Sequence, residues 1–335
     1  MSGAGSARRF GMRVLVTRRL PPGAHGRLVG LAASQGSTFE VDLWDHDAPA
    51  IPRGQLLERV RGCHGALVLL TDRVDEELLD AAGPQLAVVS TMSVGFDHID
   101  IGSCRRRAIR IGTTPDVLTD ATADLTVGLL IAVLRRFQPA MRAARDGSWG
   151  IWSPTWMCGS DLRGKTIGLI GMGRIGAAVA DRLAPFKTGP IQYCSRSEKR
   201  ALPHRFVSLE DLLRTSDIVI VTCALSDDTR ALITMAQLTL MKRTAFLINT
   251  ARGPIVNAHD LALALRQGVI AGAGLDVTDP EPIRPDDPLL SLDNCLILPH
   301  VGSATMETRE AMANLAIDNL FAALQGRPMP AELRP

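Results

Sequence analysis

The sequence predicts an α/β protein of two doubly wound parallel-sheet domains with a cleft between them. Three observations carry this. Short apolar runs alternate with helical patterns along the chain, the rhythm of parallel β-α-β units. The 335 residues are too many for one compact core. One apolar run, Thr166 to Ile170, leads straight into G-x-G-x-x-G at Gly171, Gly173 and Gly176 and then into the helical pattern Ala177 to Leu183.

In chain order, strands are expected at 13–17, 39–43, 66–70, 87–91 and 110–112, with helices between them such as 75–82. This segment lacks a phosphate-binding fingerprint of its own. One long helix is expected over 119–146, with Gly147 as its stop. The glycine-rich unit follows, then strands at 191–194, 218–222, 245–249, 272–277 and 295–298 separated by helices at 209–214, before Lys242 and at 259–267. Ser208 and Asp211 have capping-box spacing, and Gly268 is placed to end its helix. A last helix, 306–324, is expected to return to the first domain. The expected division is therefore 1–117 plus 305–335 for the substrate-binding domain and 118–304 for the dinucleotide-binding domain.

Composition narrows the class. Hydrophobic residues make up 46% and charged residues 21%, ordinary for a globular enzyme around a large buried sheet. A net charge of +2 gives no reason to invoke nucleic acid or an anionic membrane. The longest apolar run, Leu125 to Leu134, contains Gly128, ends in Arg135 and Arg136, and falls short of the roughly 18 residues of a membrane span. The cysteines (Cys63, Cys104, Cys158, Cys194, Cys223, Cys295) are widely and irregularly spaced without C-x-x-C, so reduced thiols in the cytoplasm are expected and no metal site is. The start carries Arg8, Arg9 and Arg13 and no acid before Glu40, as organellar addresses do. A first strand beginning near Met12 leaves only about ten residues for such a leader.

The glycine motif offers chemistry first. A strand ending in glycines and opening a helix presents backbone N–H groups and the positive helix end to a pyrophosphate, as in Rossmann-like units. Gly171 permits the turn, Gly173 lets the backbone approach the phosphate, and Gly176 lets helix and strand pack. The second strand of the unit is followed by Ser195, Arg196 and Ser197, with no acid to hold ribose hydroxyls or repel a 2′-phosphate. NADP(H) is therefore the expected cofactor, with NAD(H) possible.

Ligands of open parallel sheets bind beyond the carboxyl ends of the strands. Arg252, Glu281 and His300 all follow such ends. A guanidinium grips a carboxylate with two hydrogen bonds, an imidazole donates a proton to a carbonyl oxygen as hydride reaches carbon, and a carboxylate beside the imidazole keeps it charged. In the first domain, Met92 to Asp97 follows a strand, and its backbone N–H groups could face a substrate carboxylate. Trp149, Trp152 and Trp156 crowd one connection, which suits an interface, an active-site wall or plain packing.

The segments V-L-V-T-R-R-L-P, S-T-M-S-V-G-F-D-H-I-D, T-P-D-V-L-T-D-A-T-A-D-L, L-I-G-M-G-R-I-G, I-N-T-A-R-G, L-D-V-T-D-P-E-P, L-P-H-V-G-S-A-T and G-R-P-M-P-A-E-L together resemble the D-isomer-specific 2-hydroxyacid dehydrogenase family, from about Met12 onward. The resemblance implies reduction of glyoxylate and hydroxypyruvate with NADPH. It implies that His300 is the acid/base, Glu281 its partner and Arg252 the carboxylate-binding arginine. It places Val94 and Gly95 on the substrate carboxylate, with Gly302 and Ser303 closing the site. Gly173, Arg174 and Ile175 would lie on the pyrophosphate, Ser195 and Arg196 on the adenosine ribose phosphate, Asp276 near the nicotinamide and Thr250 on the cofactor side of Arg252. Ala224 stands where close relatives carry a serine near the cofactor. A homodimer is implied, with Trp152 reaching the second subunit's substrate pocket. The same fold also serves other D-2-hydroxyacid dehydrogenases, against which the Ser195-Arg196 pair and the Trp-rich segment argue. It serves dinucleotide-sensing corepressors as well, against which the lack of long interaction tails argues.

Overall fold

The computed structural model of the chain describes residues 11–34, 39–46 and 50–333. Arg8 and Arg9, on which the organellar reading rested, lie outside them. The chain divides into two compact units, Met1–Leu118 with Thr305–Pro335, and Thr119–Ala304.

The first unit is built from β1 (Met12–Val16), α1 (Pro22–Ser34), β2 (Phe39–Leu43), α2 (Arg53–Arg59), β3 (Gly65–Val68), α3 (Glu76–Ala82), β4 (Val88–Thr91), α4 (Ile101–Arg106) and β5 (Arg110–Gly112). Its five strands are parallel in the order β2-β1-β3-β4-β5. Every residue of β3 and β4 is buried, as strands covered by helices on both faces must be. Asp75 caps α3 rather than joining it, accepting from the Leu78 N–H at 3.1 Å.

The second unit begins with α5 (Thr119–Leu134) and α6 (Phe137–Asp146), where one helix was expected. Arg136 adopts a left-handed conformation with φ 55° and breaks the run. The physical reason lies three residues on. Pro139 has no N–H to donate and is accommodated in the first turn of a helix, so a new helix must start just before it. Gly147, at φ 78°, ends α6 as expected. Then come β6 (Ile167–Ile170), α7 (Arg174–Leu183), β7 (Ile191–Cys194), β8 (Arg205–Phe206), α8 (Leu209–Thr215), β9 (Ile218–Val221), α9 (Met235–Leu238), β10 (Phe246–Asn249), α10 (Ala258–Gln267), β11 (Gly272–Leu275) and β12 (Cys295–Ile297). The seven parallel strands run β12-β11-β10-β9-β6-β7-β8. The order reverses between β6 and β9, so the glycine-rich turn after β6 sits at the topological switch point. Ser208 caps α8 through the Asp211 N–H, while the reciprocal capping box forms at Thr234 and Gln237 instead. Gly268, at φ 65°, closes α10.

The last helix, α11 (Met306–Leu324), has the expected bounds and packs in the first unit, where Ser90 Oγ donates to the Ala316 carbonyl at 2.8 Å. Its buried Asn319 donates to the Thr113 carbonyl at 2.9 Å and accepts from the Ala331 N–H at 2.8 Å, tying in the tail. Among the described residues, no helix is long and apolar enough to cross a membrane, and no group of three His, Cys, Asp or Glu could hold a metal.

Candidate active site

The glycine loop is shaped by close approach. Gly171 has φ +101°, and a Cβ there would stand 2.6 Å from the Cys223 nitrogen. A Cβ on Gly176 would stand 2.4 Å from the Gly171 carbonyl oxygen, so strand β6 and helix α7 can meet only without it. At Gly173 the reverse holds, with no described atom within 4 Å of that position. Gly173 is the N-cap of α7 and has no side chain with which to cap it. A helix N-terminus that begins on a glycine at a switch point suits a dinucleotide pyrophosphate, with Arg174 and Ile175 in the first turn.

The loop after β7 is anchored from inside. Tyr193, fully buried in the core, accepts the Lys199 N–H on its hydroxyl at 2.7 Å. Ser195 Oγ donates to the Ser197 carbonyl at 2.7 Å. Arg196 is exposed, and no ion pair among the described residues holds it. Nothing acidic follows β7 until Glu198, which pairs with Arg200. Ala224, after β9, is exposed, and its carbonyl accepts from Thr229 Oγ1 at 2.8 Å. Cys194 and Cys223 flank the glycine loop, and burial pushes each thiol up to about 11, which keeps both protonated and unreactive.

Three loops at the carboxyl ends of β10, β11 and β12 converge. Asn249, at the end of β10, donates through Nδ2 to the Arg252 carbonyl at 2.9 Å and accepts the Ala251 N–H on Oδ1 at 3.0 Å, fixing the turn that presents Arg252. Thr250 is buried, its hydroxyl 2.9 Å from that of Thr126. A Cβ on Gly253 would stand 1.9 Å from the Thr278 carbonyl oxygen, so the Arg252 turn abuts the loop that carries Glu281. Glu281 Oε1 accepts the Thr278 N–H at 3.0 Å, and its Oε2 lies 2.8 Å from His300 Nδ1. The pair is partly shielded, with His300 and Glu281 side chains 25% and 32% exposed. Burial alone would push Glu281 up. The hydrogen bond and charge of His300, the Thr278 N–H and the Arg252 charge together hold it below the usual carboxylate range.

His300 itself has φ +55°, an uncommon conformation for a residue with a side chain. Asp276 maintains it. The Asp276 carbonyl accepts the His300 N–H at 2.8 Å, and its two carboxylate oxygens accept the Val301 and Gly302 N–H groups, each at 2.8 Å. Burial raises the Asp276 pKa, opposed by those two N–H groups. Ser303, next to this clamp, is half-buried. The clamp, the Asn249 brace and the Thr278 contact are absent from the sequence reading. An Asn or Asp at a strand end is the one signal that could have pointed to them.

The expected residues thus fall into two groups. Arg252, Glu281, His300, the glycine loop and Ser195 to Ser197 all follow strand ends of the seven-stranded sheet. Val94 and Gly95 follow β4 in the other unit, and both are half-buried. Trp152 is 80% exposed in the connection between α6 and β6.

The chain is similar to known proteins along nearly its whole length. The profile of the D-isomer specific 2-hydroxyacid dehydrogenase NAD binding domain matches residues 127–302. Glyoxylate reductase/hydroxypyruvate reductase of Homo sapiens is 48% identical over 327 residues, covering 96% of this chain and 98% of that protein. The crystal structure of a Thermus thermophilus protein superposes with a TM-score of 0.89 at 46% identity, over 96% of this chain and 100% of that one. An NADPH-dependent glyoxylate/hydroxypyruvate reductase from Sinorhizobium meliloti, crystallised with NADP and malonate, superposes with a TM-score of 0.81 at 33% identity, over 96% of both chains. With its two parallel α/β sheets and a dinucleotide loop at the switch point, the chain belongs to the D-isomer specific 2-hydroxyacid dehydrogenase family.

Proposed function

We propose that this enzyme reduces glyoxylate to glycolate and hydroxypyruvate to D-glycerate, with NADPH as the preferred reductant. The observation that carries the reading is the 2.8 Å pair of His300 and Glu281, on loops from strands of the sheet that bears the glycine turn. The human and Sinorhizobium relatives named for these substrates support it.

When bound, the reduced nicotinamide supplies the hydride to the keto carbon. His300 gives its Nε2 proton to the developing alkoxide, while Glu281 stays hydrogen-bonded at Nδ1 and fixes the ring. Arg252 holds the substrate carboxylate with its planar fork. The backbone N–H groups of Val94 and Gly95 are assigned to the same carboxylate on the strength of the family resemblance. Asp276 keeps the His300 loop in place, Gly302 and Ser303 close it, and Thr250 lies on the cofactor side of Arg252. Arg196, with Ser195 and Ser197, takes the adenosine 2′-phosphate, and Ala224 lines the cofactor without a side-chain hydrogen bond. The enzyme works as a cytoplasmic homodimer.

Steady-state NADPH oxidation with glyoxylate, hydroxypyruvate and pyruvate tests this. The first two should turn over well and pyruvate poorly. Failure of both would overturn the assignment. Removing the phosphate partner with Arg196→Ala should raise the KM for NADPH about tenfold or more and leave that for NADH nearly unchanged.

A further inference from the structure

The motif S-T-M-S-V-G-F-D-H-I-D contains polar side chains that the proposed chemistry does not use. Thr91 ends β4, and Ser93 follows within the same loop; both are buried. Ser93 Oγ donates to the Gly95 carbonyl at 2.6 Å. Thr91 Oγ1 lies 2.8 Å from Ser93 Oγ and 3.0 Å from His98 Nε2. Proton counting gives this chain one direction. A carbonyl only accepts, so the single Ser93 hydroxyl proton goes to Gly95. Ser93 must then accept from Thr91, and Thr91, its one proton committed, must accept from His98. His98 therefore carries a proton on Nε2.

The backbone that carries the imidazole is fixed. The His98 carbonyl accepts the Val74 N–H at 2.9 Å, and the Asp100 N–H donates to the Val74 carbonyl at 2.8 Å, bridging the two segments. The ends of the loop are held by backbone bonds, Met92 N–H to the Val68 carbonyl at 3.0 Å and Ile99 N–H to the Phe96 carbonyl at 3.0 Å. Its middle holds Gly95, the residue type with the greatest backbone freedom. The Thr114 N–H, which donates to the Ser93 carbonyl at 2.8 Å, holds the start of this stretch, and the side-chain tether to the Gly95 carbonyl adds a second restraint at Gly95 itself.

We propose that His98 is a positioning residue that acts through Thr91 and Ser93 to hold the Val94–Gly95 backbone in the conformation that receives the substrate carboxylate. This rests on the assignment of Val94 and Gly95 made above. The relay pre-orders N–H donors, so its loss weakens substrate capture more than the chemical step.

Thr91→Val removes the relay hydroxyl at constant shape. It should raise the KM for glyoxylate about tenfold, with kcat held within about twofold and the NADPH KM unchanged. His98→Leu should match it, and His98→Gln, whose side-chain amide offers an N–H in a similar place, should restore the KM. The Thr91→Val/His98→Leu double variant should be no worse than either single change, since a relay breaks only once. An unchanged glyoxylate KM in Thr91→Val overturns the proposal. Nitrogen-15 NMR of histidine-labelled wild-type protein reads the relay without any assay. A proton on His98 Nε2, assigned by loss of the signal in His98→Gln, supports the relay, and an Nε2 without a proton refutes it. If the wild type reduces neither oxoacid, the functional reading fails, and the Nε2 proton still decides the relay.

Discussion

At the residue scale, the three charged groups have separable tasks. In the proposed mechanism Arg252 binds the substrate carboxylate in ground state and transition state alike, whereas the His300 proton matters only as the carbonyl is reduced. Arg252→Ala should therefore act mainly on substrate KM, and His300→Ala should lower kcat by about 10²–10⁴-fold with little change in KM. Stopped-flow and steady-state NADPH oxidation separate the two. Arg252→Lys should recover little, because an ammonium lacks the two-pronged fork. Glu281 gives a pH test. Its folded pKa is depressed, so its stabilising contribution is complete above the ordinary carboxylate range near pH ~4.3 and disappears as pH falls through the lowered value. Urea unfolding of wild type and Glu281→Gln should differ at neutral pH and converge in acid; a difference that grows in acid would contradict the pairing. The placement of Arg252, Glu281 and His300 was legible in the sequence because each lies in the loop that follows an apolar strand. The Asp276 clamp was not, because its donors are backbone N–H groups and only the acid just past the strand end marks it in the sequence.

At the element scale, strands and helices follow from periodicity, and departures have local causes. Expected strands ran one or two residues long at several carboxyl ends, as with 272–277 against β11 at Gly272–Leu275. There the chain leaves the ladder while its residues stay buried, as Asp276 and Val277 do, so hydrophobicity continues past the last pairing. The break between α5 and α6 was missed although Pro139 announced it. Strand β8 is two exposed residues long and carries no pattern to find. Close approach between loops is equally invisible until the fold is known, and Gly253 shows its consequence. With a Cβ 1.9 Å from the Thr278 oxygen, the Arg252 turn and the Glu281 loop cannot both keep their places. Gly253→Ala should destabilise the protein by about 1–3 kcal/mol and depress kcat/KM for both oxoacids. Thermal unfolding and kinetics check this, and wild-type values for both would mean that the two loops are not rigidly abutted.

At the scale of the whole molecule, the apolar surface of the second unit calls for a partner. Ile151 is 99% exposed and Trp152 80%, with Trp149 and Trp156 in the same connection. Phe137 and Met141 are exposed one turn apart on α6, which directly precedes it. Isolated exposed apolar residues are common, but six within twenty residues of chain are a cluster of the kind that marks protein interfaces, and tryptophan is enriched there. A second copy of the chain is the occupant that the homodimer proposal names. Sedimentation equilibrium at micromolar concentration should give about twice the 36.0 kDa chain mass. Adding Trp149→Glu and Ile151→Glu together should return it to the mass of a single chain, because burying two unpaired carboxylates opposes association. Trp152→Ala, by contrast, should leave the mass doubled and raise the KM for hydroxypyruvate, if this ring reaches across to the neighbouring substrate. A wild-type protein that sediments as a single chain, yet turns over hydroxypyruvate normally, would assign the aromatic cluster to some other partner and remove Trp152 from the site.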